Sequence, residues 1–318
     1  MSLVRELSGM AGSVVARIAG RRLLILTYHR VLPEPDELLP GEPYREVFEE
    51  HMRVLNRHFH PVALEQGLEQ LRAGTLPPRA VAVTFDDGYT DNLMHALPIL
   101  QKYRVPGICF VATDYLSGGC MFNDRIIDAV RRMEGAEIDA AWLGLGRLSC
   151  HSTGSRRNTI DRILGALKYQ PPAERVTGAE RVAASVGIDA PEGLMMSASQ
   201  VRALDAGGMS LGAHTCSHPI LKCVSHSQAQ REIGSSRAAL ERLLEKPIRL
   251  FAYPNGRRGQ DFTDRDVAEV RAAGFSFALT TDWACATSST DPLLLPRINV
   301  AGYRGAALGL RLGRYFFE

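Results

Sequence analysis

Adjacent carboxylates at Asp86 and Asp87 precede Gly88, and two histidines, His214 and His218, stand four positions apart much later in the chain. Histidines at that spacing share one face of a helical turn and can grip a single metal ion. Asp87 with His214 and His218 would make a two-histidine, one-carboxylate site with open positions for water and substrate. Asp86 would then stay off the ion and act as a base. Such a set suits metal-assisted hydrolysis, in which an ion activates water and polarises a carbonyl while a carboxylate takes the proton. Each half alone has a plainer reading. Asp-Asp-Gly is also a surface turn that caps a helix, and a lone H-x-x-x-H arises by chance. The metalloprotease form of the pair carries Glu after the first histidine, and here that position is Thr215.

The segments around these residues are of the kind that present side chains at a rim. Val81-Ala82-Val83-Thr84-Phe85 is an apolar, β-branched run that reads as a buried strand ending at the carboxylates. Residues 209–213 form a second such strand and deliver the histidines. Residues 23–29 read as the first strand and carry His29 to its end; 107–112, 249–253, 275–279 and 293–298 read as further strands. Amphipathic helices are expected over 48–71 in two parts, 91–103, 227–244, and around Val267 and Val270 up to Gly274. Ser197 with Gln200 forms a capping box, and the helix after it stops at Gly207-Gly208. Strands alternating with helices predict a parallel barrel or sheet. In such folds ligands bind at the carboxyl ends of the strands. Residues 115–196 interrupt the alternation with helical stretches. They read either as a cap that shapes the cleft, with Arg156 and Arg157 as anion contacts, or as a decoration with a solvated basic face.

Thr84-Phe85-Asp86-Asp87-Gly88-Tyr89 and His214-Thr215-Cys216-Ser217-His218 resemble the first two motifs of the polysaccharide deacetylase family. This is the NodB-homology domain, or carbohydrate esterase family four. Phe251-Ala252-Tyr253-Pro254-Asn255-Gly256 resembles its third motif in variant form, and the likeness covers residues 23–300 around the 115–196 segment. The resemblance implies an α/β fold, a distorted (β/α)7 barrel of about seven β/α units with a helical insertion. It implies that Asp87, His214 and His218 hold one divalent ion, with zinc expected and cobalt, nickel or iron(II) as substitutes, and that Asp86 is the base. It assigns the segment with Tyr253, Pro254 and Asn255 to substrate and oxyanion contact through backbone amides. Many relatives carry an arginine in the third motif that orients the base. Ala252 stands there, and Arg297, in Leu295-Pro296-Arg297-Ile298, is expected to replace it from the last strand. Many relatives also carry a late Leu-x-His that supplies the general acid. No histidine follows His226, and His29, after Tyr28 as in one branch of the family, is expected to fill that gap. The plainer readings are a structural ion pair for Arg297 and a packed ring for His29. Asp282-Trp283 reads as rim packing rather than site lining.

Composition bounds the rest. With 318 residues, 45% of them hydrophobic, the chain can bury a substantial core. Its 37 basic and 35 acidic residues leave a net charge of +2, so nothing in the total asks for nucleic acid. No apolar run is long enough for a transmembrane helix. Residues 1–22 place Val4, Leu7, Ala11, Val14, Val15 and Ile18 at helical spacing, with Arg5, Arg17, Arg21 and Arg22 adding charge. That helix either makes peripheral contact with an anionic membrane surface or packs on the barrel. Arg17 breaks its apolar stretch, which makes a poor secretory signal. The six scattered cysteines then read as reduced thiols in the cytoplasm.

The expected organisation is this N-terminal helix followed by a deacetylase domain over 23–318. The expected activity is metal-dependent hydrolysis of a linear amide: N-deacetylation of a sugar on a glycan or glycolipid, in cell-surface or exopolysaccharide metabolism. The alternatives are a small-molecule amide or imide hydrolase on the same scaffold and a non-catalytic carbohydrate-binding relative. Asp86 beside the ligand set argues against the last, because a binder needs no base.

Overall fold

The computed structural model describes residues 21–300 and 302–316, so residues 1–20 of the expected N-terminal helix lie outside the described residues. Strand β1 (Arg22–Tyr28) is followed by α1 (Arg45–His58), the short β2 (His60–Pro61) and α2 (Leu64–Arg72). β3 (Ala80–Phe85) leads through a π-helical turn (Asn92–Ala96) into α3 (Leu97–Tyr103) and β4 (Gly107–Val111). Then come α4 (Phe122–Arg132), a hairpin of β5 (Glu137–Asp139) and β6 (Arg147–Ser149), α5 (Thr153–Leu167), α6 (Pro172–Ser185) and α7 (Ala198–Ala206). The chain continues through β7 (Ser210–Ala213), α8 (His226–Leu244), β8 (Leu250–Ala252) and α9 (Asp264–Ala272). It closes with β9 (Phe277–Leu279), β10 (Ala286–Thr287), β11 (Ile298–Asn299) and α10 (Gly305–Arg314). No described helix is long and apolar enough to cross a membrane.

The main sheet runs β10–β1–β3–β4–β7–β8–β9, with β11 added beside β1 and β2 beside β3. All these pairings are parallel except that of β10 with β1. Leu279 of β9 also bridges Leu295, just before β11. The 295–299 segment therefore ties β9 to β1 and curls the sheet into a distorted barrel. The strand expected over 293–298 is thus reduced to Ile298–Asn299 plus one bridge, because Pro296 cannot donate to a continuous ladder.

The strands read as unbroken apolar runs because both faces are covered. Leu23 and Ile25, Ala80 and Ala82, Ile108 and Phe110, Leu250 and Ala252, and Phe277 and Leu279 share one cluster inside the curl. The alternate residues Leu24, Leu26, Val81, Val83, Cys109, Val111, Leu211 and Ala213 face the helices in another. Continued to the strand ends, the period-two alternation directs Thr27 and His29, Thr84 and Asp86, and His214 into the barrel mouth.

The capping box at Ser197 starts α7: its Oγ accepts from the Gln200 amide, and the Gln200 side chain accepts from the Ser197 N–H. The segment from α4 to α6 packs around its own small core of Ile126, Val130, Ile138, Leu148, Ile163 and Val182. Arg156 sits in that unit as a cap of α4. It donates to the carbonyls of Val130, Arg131, Met133 and Cys150, which corrects its reading as an anion contact. Arg157 likewise donates to the Glu37 carbonyl.

Candidate active site

A cleft of about 570 Å³ opens at the carboxyl ends of β1, β3, β7 and β8. Its wall includes His29, Asp86, Asp87, His214, His218, Asn255 and Arg297. Strand alternation alone would turn Asp87 away from Asp86. Instead the chain bends at Asp87, with φ +74°, and Gly88 follows at φ +93°. Both carboxylates therefore reach the same cleft. Thr215, His218 and Asn255 also hold positive φ, at +64°, +54° and +60°. Non-glycine residues rarely take this conformation, and it persists only where surrounding bonds enforce it.

Those bonds are present around the histidine turn. Thr215 Oγ1 donates to the His214 carbonyl and accepts from the His218 N–H at 3.1 Å. Glu232 of α8 accepts from the backbone N–H groups of Cys216 and Ser217, both at 2.9 Å, and from Ser217 Oγ at 2.7 Å. Sequence reasoning missed Glu232, which offers no signal beyond an acidic residue on an amphipathic helix.

The donor set fits a metal ion. The ligand atoms of Asp87, His214 and His218 lie within 4.8 Å of one another. His214 Nδ1 lies 2.8 Å from the Ala252 carbonyl, so that nitrogen carries the proton and Nε2 keeps its lone pair. Both His214 Nε2 and His218 Nε2 lie 3.4 Å from Asp87 Oδ1. Asp87 Oδ1 is buried and has no hydrogen-bond partner. Lone pairs facing a buried carboxylate oxygen are mutually repulsive until a cation sits between them. Burial drives the His218 ring down to about 3, which keeps it neutral as a ligand must be.

Asp86 has a different partner. Arg297 grips it with a two-point fork, Nη1 to Oδ1 at 2.7 Å and Nη2 to Oδ2 at 2.8 Å. The guanidinium is 1% exposed and is itself held by the Thr280 carbonyl at 2.9 Å and Thr84 Oγ1 at 3.3 Å. Burial pushes the Asp86 carboxyl up, while Arg297 and His214 pull it down further, so it stays ionised. Arg297 enters just before β11, at the seam that closes the barrel, and not off the end of a longer strand.

His29 lines the cleft half-buried. Burial lowers its pKa, but Asp87, Glu42 and Asp86 more than offset this and leave it raised. Asn92 of the π-helical turn donates to the His29 carbonyl at 2.9 Å, which anchors the strand end.

The third-motif residues divide. Tyr253 is fully buried and stacks on Phe262 with ring centroids 3.9 Å apart. Its N–H donates to Leu279 and its hydroxyl to the Leu293 carbonyl. The reading of Tyr253 as a substrate or oxyanion contact is therefore corrected: a ladder residue has no amide to offer the cleft. Pro254 has no N–H at all and serves to set the turn. Asn255 faces the cleft in left-handed conformation. Gly256 follows at φ +78°, where a Cβ would lie 2.9 Å from the Thr281 backbone. Trp283 also departs from its rim-packing reading, since it lines the cleft and is 55% exposed. From the α4–α6 segment, Phe122, Leu164, Lys168 and Arg175 form the facing wall.

Comparison with known proteins agrees with this architecture. The sequence profile described as polysaccharide deacetylase matches residues 73–141 and 176–278. YxkH of Bacillus subtilis (strain 168), grouped with the polysaccharide deacetylases, is 20% identical over 291 residues, which is 91% of this chain and 75% of that protein. The fold is similar to that of the Streptococcus pyogenes deacetylase PplD in complex with acetate. The TM-score is 0.63 at 18% identity, with 93% of this chain and 99% of that one covered. It is also similar to IcaB from Ammonifex degensii, with TM-score 0.58, 20% identity, and 92% and 97% covered. The profile accounts for over half of the chain, both carboxylates and both cleft-lining histidines of the H-x-x-x-H turn among it, and the protein belongs to the polysaccharide deacetylase family of enzymes.

Proposed function

We propose that the protein is a metal-dependent hydrolase that removes the acetyl group from an N-acetylated sugar of a glycan or glycolipid. The observation that carries this reading is the division of labour between adjacent carboxylates. Asp87 faces two imidazole lone pairs, while Asp86, one residue away, is clamped by Arg297. Asp87, His214 and His218 would hold the ion, for which the mixed nitrogen and oxygen donors favour zinc. A divalent ion bound there supplies Lewis acidity that activates water and polarises the amide carbonyl.

The protein's own groups do the rest. Asp86 takes the proton of the attacking water, and Arg297 keeps that carboxylate ionised and aimed. The water oxygen bonds to the acetyl carbon, and the carbon–nitrogen bond then breaks. His29 gives its proton to the departing amine, so acetate and a free amino sugar leave. Besides the two ligands, His29 is the imidazole among the described residues that lines this cleft. The backbone N–H of Asn255, a residue of the cleft wall, would donate to the developing oxyanion. The exposed ring of Trp283 gives a flat apolar face for a sugar ring to pack on.

The direct test is to load the purified protein with zinc and assay acetate release from N-acetylated oligosaccharides, N-acetylated glycolipids and small amides. Release from the sugars, lost on chelation and restored by metal, supports the reading. Cleavage of small amides or imides alone would favour the other hydrolase, and binding without release would favour a carbohydrate-binding relative.

A further inference from the structure

We propose that the cleft carries an anion-binding subsite beside the metal triad, built by Arg175 with Lys168 and Arg257, which takes a phosphate group borne by the sugar substrate. Arg175 carries the argument. It is 4% exposed, and its guanidinium lies 4.8 Å over the Phe122 ring. Its Nη2 donates to the His218 carbonyl at 3.1 Å, while its buried Nε has no partner. No carboxylate among the described residues pairs with it; the oxygens of Glu232 are held by the histidine turn. A buried cation without an anion is costly. Its place is at the wall shared by the triad cleft and an adjoining hollow of about 380 Å³.

Three further observations point to the same ligand. The hollow is lined by Pro172, Ala173 and Val176, the opening turn of the fourteen-residue α6, whose N-terminal end attracts negative charge. Lys168 and Arg257 line the triad cleft, and neither makes an ion pair among the described residues. Against these three cations the cleft sets Asp87, which faces the two histidines, and Asp261, which already accepts from the Arg257 N–H at 3.0 Å and the Tyr169 hydroxyl at 3.1 Å. Asp86 is neutralised by Arg297. Arg175 and Lys168 fall between the two stretches matched by the family profile, whereas Arg257 falls inside the second. A guanidinium edge reinforced by further cations suits the several oxygens and higher charge of a phosphate better than a single carboxylate.

The proposal rests on the deacetylase reading for where the sugar lies, but it can be tested without turnover. Full-length, zinc-loaded protein is titrated by calorimetry with glucosamine 1-phosphate, glucosamine and muramic acid, which have no amide to cleave. The phosphorylated sugar should bind about 10- to 100-fold more tightly than the neutral one, the range of a charge-assisted contact. Arg175→Gln should collapse that ratio, and Lys168→Gln, on the cleft edge, should reduce it in part. Thermal melting of each variant checks that it folds, and Lys168→Gln keeps the test decisive if Arg175→Gln does not. Equal binding of the three sugars, or a ratio that both variants leave untouched, overturns the subsite. Equal binding of muramic acid and the phosphorylated sugar overturns the choice of phosphate. A protein that binds the phosphorylated sugar through Arg175 yet releases no acetate from any glycan would overturn the deacetylase reading and leave the subsite standing.

Discussion

The barrel rim and the α4–α6 cap face each other across one cleft, and they are built on opposite terms. On the rim, each site residue is fixed by partners of its own. Arg297 clamps Asp86, Ala252 holds His214, and Glu232 and Thr215 tie down the strained histidine turn. The cap stands on a separate apolar core and sends side chains across with fewer constraints, Arg175 being buried without a counter-ion. Preorganised polar groups favour chemistry, because nothing must reorganise as charge develops. A semi-independent wall suits recognition, because it can change without disturbing the rim. The rim should therefore govern turnover and the cap should govern preference.

The largest effects should come from the paired carboxylates. Asp86→Asn should lower turnover about 10²- to 10⁴-fold, the range for loss of a general base, with bound metal unchanged. Asp87→Ala should lose metal and activity together. Metal analysis beside rate measurements separates the two. An Asp86→Asn protein with full activity, or wild type fully active after chelation, would break the rim half of the comparison.

His29→Ala should cost about 10²- to 10⁴-fold on an N-acetyl sugar, as expected for a missing general acid. The loss should shrink on a substrate whose leaving group needs no proton. Comparing an N-acetyl sugar with an activated aryl acetate reads this, and equal losses on both would reduce His29 to a structural role.

Removing Arg297 tests the clamp. Arg297→Ala leaves a buried carboxylate unpaired and should cost about 3–5 kcal/mol of stability, readable by denaturant titration. Arg297→Lys keeps a charge but loses the fork, so burial should then raise the Asp86 carboxyl relative to wild type. Because that carboxyl is depressed in the folded protein, its stabilising and catalytic contributions are lost as pH falls through its folded value. In Arg297→Lys the acid limb of the rate profile should move to higher pH. A limb that stays in place would show that Arg297 does not tune the base.

The smallest effect on chemistry should come from inside the cap. Ile163 is fully buried in the cap core, and Ile163→Ala should loosen that unit by about 2–5 kcal/mol. KM for long substrates should rise while metal content and turnover of a short one hold. A parallel loss of metal would show that cap and rim are a single cooperative unit.

How much of this was legible beforehand differs residue by residue. The capping box at Ser197 and the strand before the carboxylates are local patterns, and both form as read. The helix expected over 91–103 begins instead as a π-helical turn, which the placement of Asn92 beneath His29 exploits. Tyr253 was misread because a motif says nothing about which amides the sheet uses. Arg156 was misread because a basic residue on an insertion looks the same whether it meets solvent or caps a neighbouring helix. Arg175 and Glu232 gave no signal, since their importance lies wholly in what packs beside them.

By itself the sequence determined the alternation that points Thr27, His29, Asp86 and His214 toward one side of their strands, and the chemical identity of the donors. Those properties are local, because the side-chain period of a strand is set within a few residues. Only the tertiary structure decided that Arg297, 211 positions from Asp86, would be its partner, and that Asp87 would turn back into the cleft. It also decided which of many arginines would stand buried without an anion. Those outcomes depend on how the sheet curls and closes through residues 295–299, and closure is a property of contacts between distant segments that no local pattern encodes.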